Sequence, residues 1–143
     1  MIDAENIVFT TVVAPLRAAF TGIFATGEKV AIPAKFPCVT LVEDDNATYE
    51  KSLDSNMTEN HATLMYTANA YSNLLPGKKS QCKAIMAIID TQMLQMGFVR
   101  VGSGPIEMPN ADANIYRMVA RYRGVISAKT ISGSSTTYQI YRR

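Results

Sequence analysis

The feature that most constrains the fold is a helical segment flanked on both sides by segments with the periodicity of β-strands. Ser80 is a suitable N-cap, and Gly97 follows the last periodic residue as a stop signal, so the sequence predicts a helix between them. Apolar side chains recur every three or four residues and share one helix face: Cys82, Ile85, Ile89, Met93 and Met96. Such a Met-rich face is typical of a helix packed on a sheet, so we expect an apolar sheet surface beneath it.

Two alternating segments on either side of this helix are predicted to supply that surface. In segment 60–73 the core-facing positions are Leu64, Tyr66, Ala68 and Ala70. In segment 115–127 they are Tyr116, Met118, Ala120 and Tyr122. The opposite face of the second segment carries Arg117, Arg121 and Arg123. The polar faces of both strands are therefore expected to meet solvent or a partner.

The remaining segments complete a single α+β domain over residues 1–143. A first helix is predicted from Asp3 to Phe20, with Pro15 expected to kink or divide it. Further strands are predicted over 36–44, 47–55, 98–102 and 136–143, with loops at 21–35, 102–114 and 129–135. The resulting order is α-β-β-β-α-β-β-β, a mixed or antiparallel sheet packed against two helices. Residues 128–143 form a loop followed by a C-terminal strand.

The charge distribution is uneven, although the net charge is only +2. Residues 1–75 carry a net charge of −5, and residues 76–143 carry +7. A basic half is compatible with nucleic-acid binding, whereas opposite patches on one chain also favour self-association, and both charges can simply be solvated. The predicted subunit or partner interface comprises Glu43, Asp44, Asp45, Arg117, Arg121 and Arg123.

Catalytic, cofactor and metal motifs are not found in the sequence. The Gly-rich stretch at 102–105 lacks the helix and Lys of a nucleotide-binding loop. Cys38, Cys82 and His61 are too few for a zinc site, and their spacing supports no nucleophile–base pair. We therefore expect two free thiols, at least one of them buried, in a reducing, cytosolic environment. The acids at 43–45 lack the spacing of a calcium loop. No apolar run is long enough to span a membrane, and the N-terminus does not resemble a secretory signal. We therefore predict a protein that is not an enzyme and binds no cofactor.

Four segments together resemble a known family: FPCVTLVEDDNATYEKSLDS (36–55), ENHATLMYTANAYSN (59–73), GKKSQCKAIMAIIDTQMLQMGF (77–98) and IYRMVARYRGVI (115–126). Their order is similar to that of small neck proteins of long-tailed bacteriophages, above all the tail terminator, or tail-to-head joining, family. The resemblance extends over about residues 1–127 and depends on element order and on the helix followed by the YR-x-x-x-RYR strand.

This resemblance implies a structural virion protein that assembles in the host cytoplasm. Its subunits would form a ring, expected to be a hexamer, on the last ring of the tail-tube protein, where the ring ends polymerisation and receives the head connector or head-closure protein. DNA would pass through the lumen without specific binding. Two alternatives remain: another neck protein, either head closure or tail completion, or a nucleic-acid-binding module that uses the basic C-terminal half.

Overall fold

The computed structural model describes residues 3–30, 33–52, 55–57, 61–105, 114–131 and 135–141. For residues 52, 105, 127–131 and 135–141 it describes the backbone alone. These ranges contain two α-helices, a short 3₁₀ helix at Glu50–Ser52 and six strands. The α-helices and strands are α1 (Glu5–Ala19), β1 (Phe24–Thr26), β2 (Cys38–Thr48), β3 (His61–Ser72), α2 (Lys78–Gln95), β4 (Val99–Pro105), β5 (Tyr116–Ile131) and β6 (Ser135–Tyr141).

The strands form one mixed sheet in the order β1-β2-β3-β5-β4. The pair β1–β2 is parallel, and the other pairs are antiparallel. Strand β5 is long enough to pair twice on the edge away from β3. Its first half pairs with β4 up to Arg123, and its second half pairs with β6 from Val125 onward. The last β3 partner on β5 is Ser127, so beyond it β5 and β6 continue as a two-stranded ribbon.

Both helices pack on one face of the sheet, as the apolar stripes predict. In α1 the buried residues are Val8, Val12, Val13 and Leu16. In α2 they are Cys82, Ile85, Met86, Ile89 and Met93. Except for Val13, they join the inward-facing sheet residues, which include Leu64, Tyr66, Ala68, Ala120 and Tyr122, in one hydrophobic core. The α+β class, the two helices on a mixed sheet and the element order are thereby confirmed.

The first two strands differ from the sequence prediction. The predicted loop 21–35 contains β1, and 47–55 is not a separate strand, because 47–48 complete β2 and the 3₁₀ helix follows. The charged residues after Val42 do not end β2. A bulge between Glu43 and Asp45 absorbs one extra residue, and pairing with β3 then continues to Thr48.

Helix boundaries also differ in detail. Helix α1 continues through Pro15, since Val12 and Leu16 on either side of it are anchored in the core. Helix α2 begins at Lys78, with Gly77 rather than Ser80 at its N-cap, and Gly77 has the left-handed φ of 108°. The predicted stop at Gly97 is confirmed, with a φ of 97° and the amide of Phe98 donating to Met93 O at 3.0 Å.

The C-terminal half contains more strand than predicted. Strand β4 extends to Pro105, into the predicted loop 102–114, while 106–113 lie outside the described residues. The predicted loop 129–135 is also shorter, because β5 runs to Ile131 and β6 begins at Ser135. The predicted basic end at 142–143 lies outside the described residues.

Candidate functional site

The second face of the sheet has no helix on it among the described residues and contains a polar groove. The groove has a volume of about 610 Å³. Its floor comes from alternate positions on three adjacent strands, and Lys29 and Val30 border it from the segment after β1. The lining comprises Lys29, Val30, Thr40, Val42, Asp44, Thr67, Asn69, Tyr71, Arg117 and Arg121.

The Arg117 guanidinium is held in this groove by neutral partners. Its Nε and Nη2 both donate to Asn69 Oδ1, at 3.0 and 2.9 Å. Asn69 Nδ2 donates in turn to Thr40 Oγ1 at 3.1 Å. The guanidinium also lies over the Tyr71 ring, 5.4 Å from its centroid. Because the side chain is held on two sides, its remaining donors are preorganised for an incoming acceptor.

The three arginines predicted to share one strand face do share it. Arg117 pairs in register with Tyr71, Arg121 with Thr67, and Arg123 with Met65. Arg121 and Arg123 are exposed, and Arg117 is half-buried. Within the described ranges, no carboxylate lies within salt-bridge distance of any of the three.

A contrast is provided by Arg100 on β4, whose guanidinium forms a salt bridge of 3.1 Å with Asp90 on α2. The Tyr122 hydroxyl donates to the same Asp90 carboxylate at 3.0 Å. The charge of Arg100 is therefore neutralised between α2 and β4, whereas the three arginines of the open face have no such ion pair within the part of the chain that the structure describes.

The predicted acidic patch is divided between the two faces of the sheet, and the bulge in β2 puts Asp45 on the same face as Asp44. Glu43 pairs with Tyr66 and lies on the helix side of the sheet. Asp44 lies in the groove and accepts a hydrogen bond from the Thr67 hydroxyl. Asp45 is exposed and pairs with Met65. Of the three predicted acids, Asp44 is thus the one brought into the same groove as Arg117 and Arg121.

Glu43 has an unusual electrostatic environment. Burial is the main cause that raises its pKa to about 7, and repulsion from Glu5 and Asp3 at the start of α1 raises it further. A hydrogen bond with Asn46 acts in the opposite direction. This clustering of acids from α1 and β2 is invisible in the sequence, because about forty residues separate them.

The two thiols and the histidine are not among the residues that line the groove, although Cys38 pairs in register with the lining residue Tyr71. Cys38 and Cys82 are fully buried, as predicted, and burial raises the pKa of each thiol to about 11. The Cys82 thiol donates to the carbonyl oxygens of Ala70 and Tyr116, both at 3.5 Å. His61 contacts Tyr49 edge to face, with ring centroids 6.3 Å apart.

Several groove residues were not singled out by the sequence. Alternation in β3 does place Thr67, Asn69 and Tyr71 on one polar face, so the sequence could have predicted that part of the site. Lys29 was not, because it comes from a segment predicted to be a loop, and Tyr71 brings that segment in by donating to Val30 O at 3.4 Å.

Comparison with known protein families found no family model that matches this chain. No curated protein is similar enough to count as a relative. Among the described residues, neither helix is long and apolar enough to cross a membrane.

Proposed function

We propose that this chain is a structural subunit of a ring in the neck of a long-tailed bacteriophage, with the role of a tail terminator. In this role the ring ends growth of the tail tube and presents a surface to the head connector. The resemblance of the four segments to neck proteins supports the proposed role, and the open face of the sheet supports the proposed contacts between subunits. The ring number, expected to be six, is part of the proposal.

The observation that carries the proposal is the set of three arginines on a sheet face with no carboxylate at salt-bridge distance among the described residues. A guanidinium fixed by Asn69 and stacked on Tyr71 has donors that match a carboxylate. Acids elsewhere on the same chain supply that chemistry when another copy approaches. Asp45 and Glu50 are exposed and do not line the groove. Two different patches on each subunit are what closure of a cyclic ring requires.

The ribbon of β5 and β6 supports the same conclusion. Beyond Ser127, β5 pairs with β6 and with no third strand among the described residues. An isolated two-stranded hairpin is marginally stable in water, so such a ribbon gains from packing against another subunit. Its free edges also offer backbone hydrogen bonds for strand addition.

Nucleic-acid binding by the open face is the weaker alternative. Asp44 lies in the groove and repels phosphate. Individual contacts between exposed arginines and acids contribute little, about 0.2–1 kcal/mol each, but several together can set the register of neighbouring subunits.

The decisive experiment is a charge reversal of Arg121→Glu together with Arg123→Glu. We expect the double variant to keep the thermal stability of the monomer and to form fewer rings, measured by analytical ultracentrifugation and negative-stain imaging with tail-tube protein. The matched control is Lys79→Glu with Lys83→Glu, which changes the net charge equally at exposed positions of α2 and leaves assembly intact.

Two further outcomes bear on the proposal. Adding Asp45→Lys and Glu50→Lys to the arginine variant is expected to restore part of the assembly. If the arginine variant assembles like the unmodified chain, the arginines do not form the ring contact. If the unmodified chain instead binds DNA with a steep dependence on salt and forms no ring, the nucleic-acid alternative replaces the proposal.

A further inference from the structure

Three carboxylates from two distant parts of the chain meet where α1 begins. Asp3 and Glu5 come from the start of α1, and Glu43 comes from β2 at its bulge. One oxygen from each lies within 4.8 Å of the other two. The Glu5 amide donates to Asp3 Oδ1 at 3.2 Å, which holds the first carboxylate in place.

Two buried oxygens beside these carboxylates have no hydrogen-bond partner. They are Glu43 Oε1 and the Tyr66 hydroxyl oxygen. Tyr66 is 1% exposed and lies directly opposite Glu43 in the β2–β3 register, on the same face of the sheet. Burial raises the pKa of the Tyr66 hydroxyl, and the charges that raise it further are Glu43, Glu5 and Asp3. The hydroxyl therefore lies near this cluster, on the helix side of the sheet, without a hydrogen-bond partner among the described residues.

An unpartnered buried oxygen is costly, and most buried polar groups avoid that cost by binding a partner. Here the three carboxylates repel one another, and the hydrogen bond between Asn46 and Glu43 still leaves Glu43 Oε1 without a partner. A bound cation removes both costs at once, since it attracts the carboxylates and accepts electron pairs from the orphaned oxygens. Oxygen-only donors of this kind suit a hard divalent ion.

There is also room for the ion and its water ligands. A pocket of about 260 Å³ opens beside the cluster, lined by Asp3, Glu5, Asn6, Phe9 and Gly27.

We propose that Asp3, Glu5, Glu43 and the Tyr66 hydroxyl form a Ca²⁺-binding site that fastens the start of α1 to the bulge of β2. The three carboxylate oxygens lie within 4.8 Å of one another, close enough for one ion to bind all three, and Ca²⁺ accepts an irregular, carboxylate-rich set of oxygen ligands. Mg²⁺, at about 2.1 Å, requires a tighter and more regular arrangement. The inference is independent of the proposed neck function.

Terbium luminescence is a suitable probe, because Tb³⁺ occupies calcium sites and is sensitised by nearby tyrosine, and the chain contains no Trp. We expect saturable luminescence from the purified protein that Ca²⁺ displaces, with a Ca²⁺ dissociation constant on the order of 10⁻⁴ M, and that Mg²⁺ displaces far less. We also expect Ca²⁺ to raise the melting temperature relative to the protein in EDTA.

Variants locate the site. Glu43→Gln removes one charge and relieves repulsion, so it is expected to fold and to weaken Ca²⁺ binding by about tenfold or more. Tyr66→Phe is expected to lose most of the sensitised emission. Glu50→Gln, an exposed acid in the 3₁₀ helix, is the matched control and leaves binding unchanged.

Three results would overturn the proposal. They are luminescence that does not saturate, equal displacement by Mg²⁺ and Ca²⁺, and equal effects of Glu43→Gln and Glu50→Gln. Circular dichroism of each variant in EDTA separates lost binding from lost folding.

Discussion

Gly124 in β5 is predicted to be a position where a single added methyl group destabilises the fold. The Phe98 ring lies directly over this glycine. A Cβ at residue 124 would lie 2.7 Å from Phe98 Cδ1 and 3.1 Å from both Cε1 and Cγ. The ring cannot easily move away, because Phe98 is 1% exposed and meets Tyr66 edge to face at 5.4 Å.

The expected magnitude follows from two opposing effects of Gly124→Ala. Overpacking of a rigid core costs about 1–3 kcal/mol. Replacing glycine also reduces the conformational freedom of the unfolded chain, which stabilises the folded state by roughly 0.4–1 kcal/mol. The net expectation is a loss between about 0 and 2.6 kcal/mol in the free energy of unfolding, centred near 1.3 kcal/mol, or a fall of roughly 3–5 °C in melting temperature at that centre for a domain of this size.

Urea unfolding followed by circular dichroism measures this difference, and Gly102→Ala is the matched control. Gly102 lies in β4, paired with Arg121, and a Cβ there would meet nothing within 4 Å. We expect the control to be as stable as the unmodified chain or slightly more stable. In the Gly124→Ala variant, Phe98→Leu should lower the free energy of unfolding by less than it does in the unmodified chain, because the smaller side chain relieves the clash. The packing argument fails if Gly124→Ala and Gly102→Ala have the same unfolding midpoint.

Three further predictions follow from other parts of the structure. Ile89→Ala in α2 should lower the free energy of unfolding by about 2–5 kcal/mol, because the side chain is fully buried in the core, and an unchanged urea midpoint would contradict that packing. At pH 8, iodoacetamide should modify Cys38 and Cys82 very slowly in the folded protein and rapidly in urea. The reason is that a pKa of about 11 leaves roughly a thousandth of each thiol as thiolate. Fast labelling of the native protein, detected by mass spectrometry, would refute this. Asn69→Asp should weaken ring assembly without lowering monomer stability. The new carboxylate would lie 2.9–3.0 Å from the Arg117 guanidinium and so neutralise its charge within the subunit. Unchanged assembly in ultracentrifugation would count against Arg117 as an assembly contact.

Local periodicity was sufficient to predict the elements that bury one face. The stripe of α2, the alternation of β3 and β5, and the stop at Gly97 each depend on residues within one or two turns or strand repeats, so they can be read without knowing their partners. The same reasoning placed Arg117, Arg121 and Arg123 on one side of β5, because side-chain direction in a strand depends only on parity.

Strand alternation no longer predicts which face a side chain occupies once the register changes, and the bulge in β2 is an example. An unbroken strand would put Glu43 and Asp45 on one face and Asp44 on the other. The extra residue leaves Glu43 and Asp44 on those faces but pairs Asp45 with Met65, so Asp45 lies on the same open face as Asp44. Pairing with β3 decides where the extra residue goes, and this choice is not encoded in the local composition.

By itself, the sequence determined the fold class, the buried faces of the helices and long strands, and the arginine-bearing face of β5. Tertiary structure alone decided which separated residues came together: Phe98 over Gly124, Asn69 against Arg117, and Glu43 with Asp3 and Glu5. The physical reason is the separation along the chain over which each effect acts. Periodicity and capping act over a few residues, whereas close packing and electrostatic clustering depend on distances between segments that chain topology sets only when the whole sheet has formed.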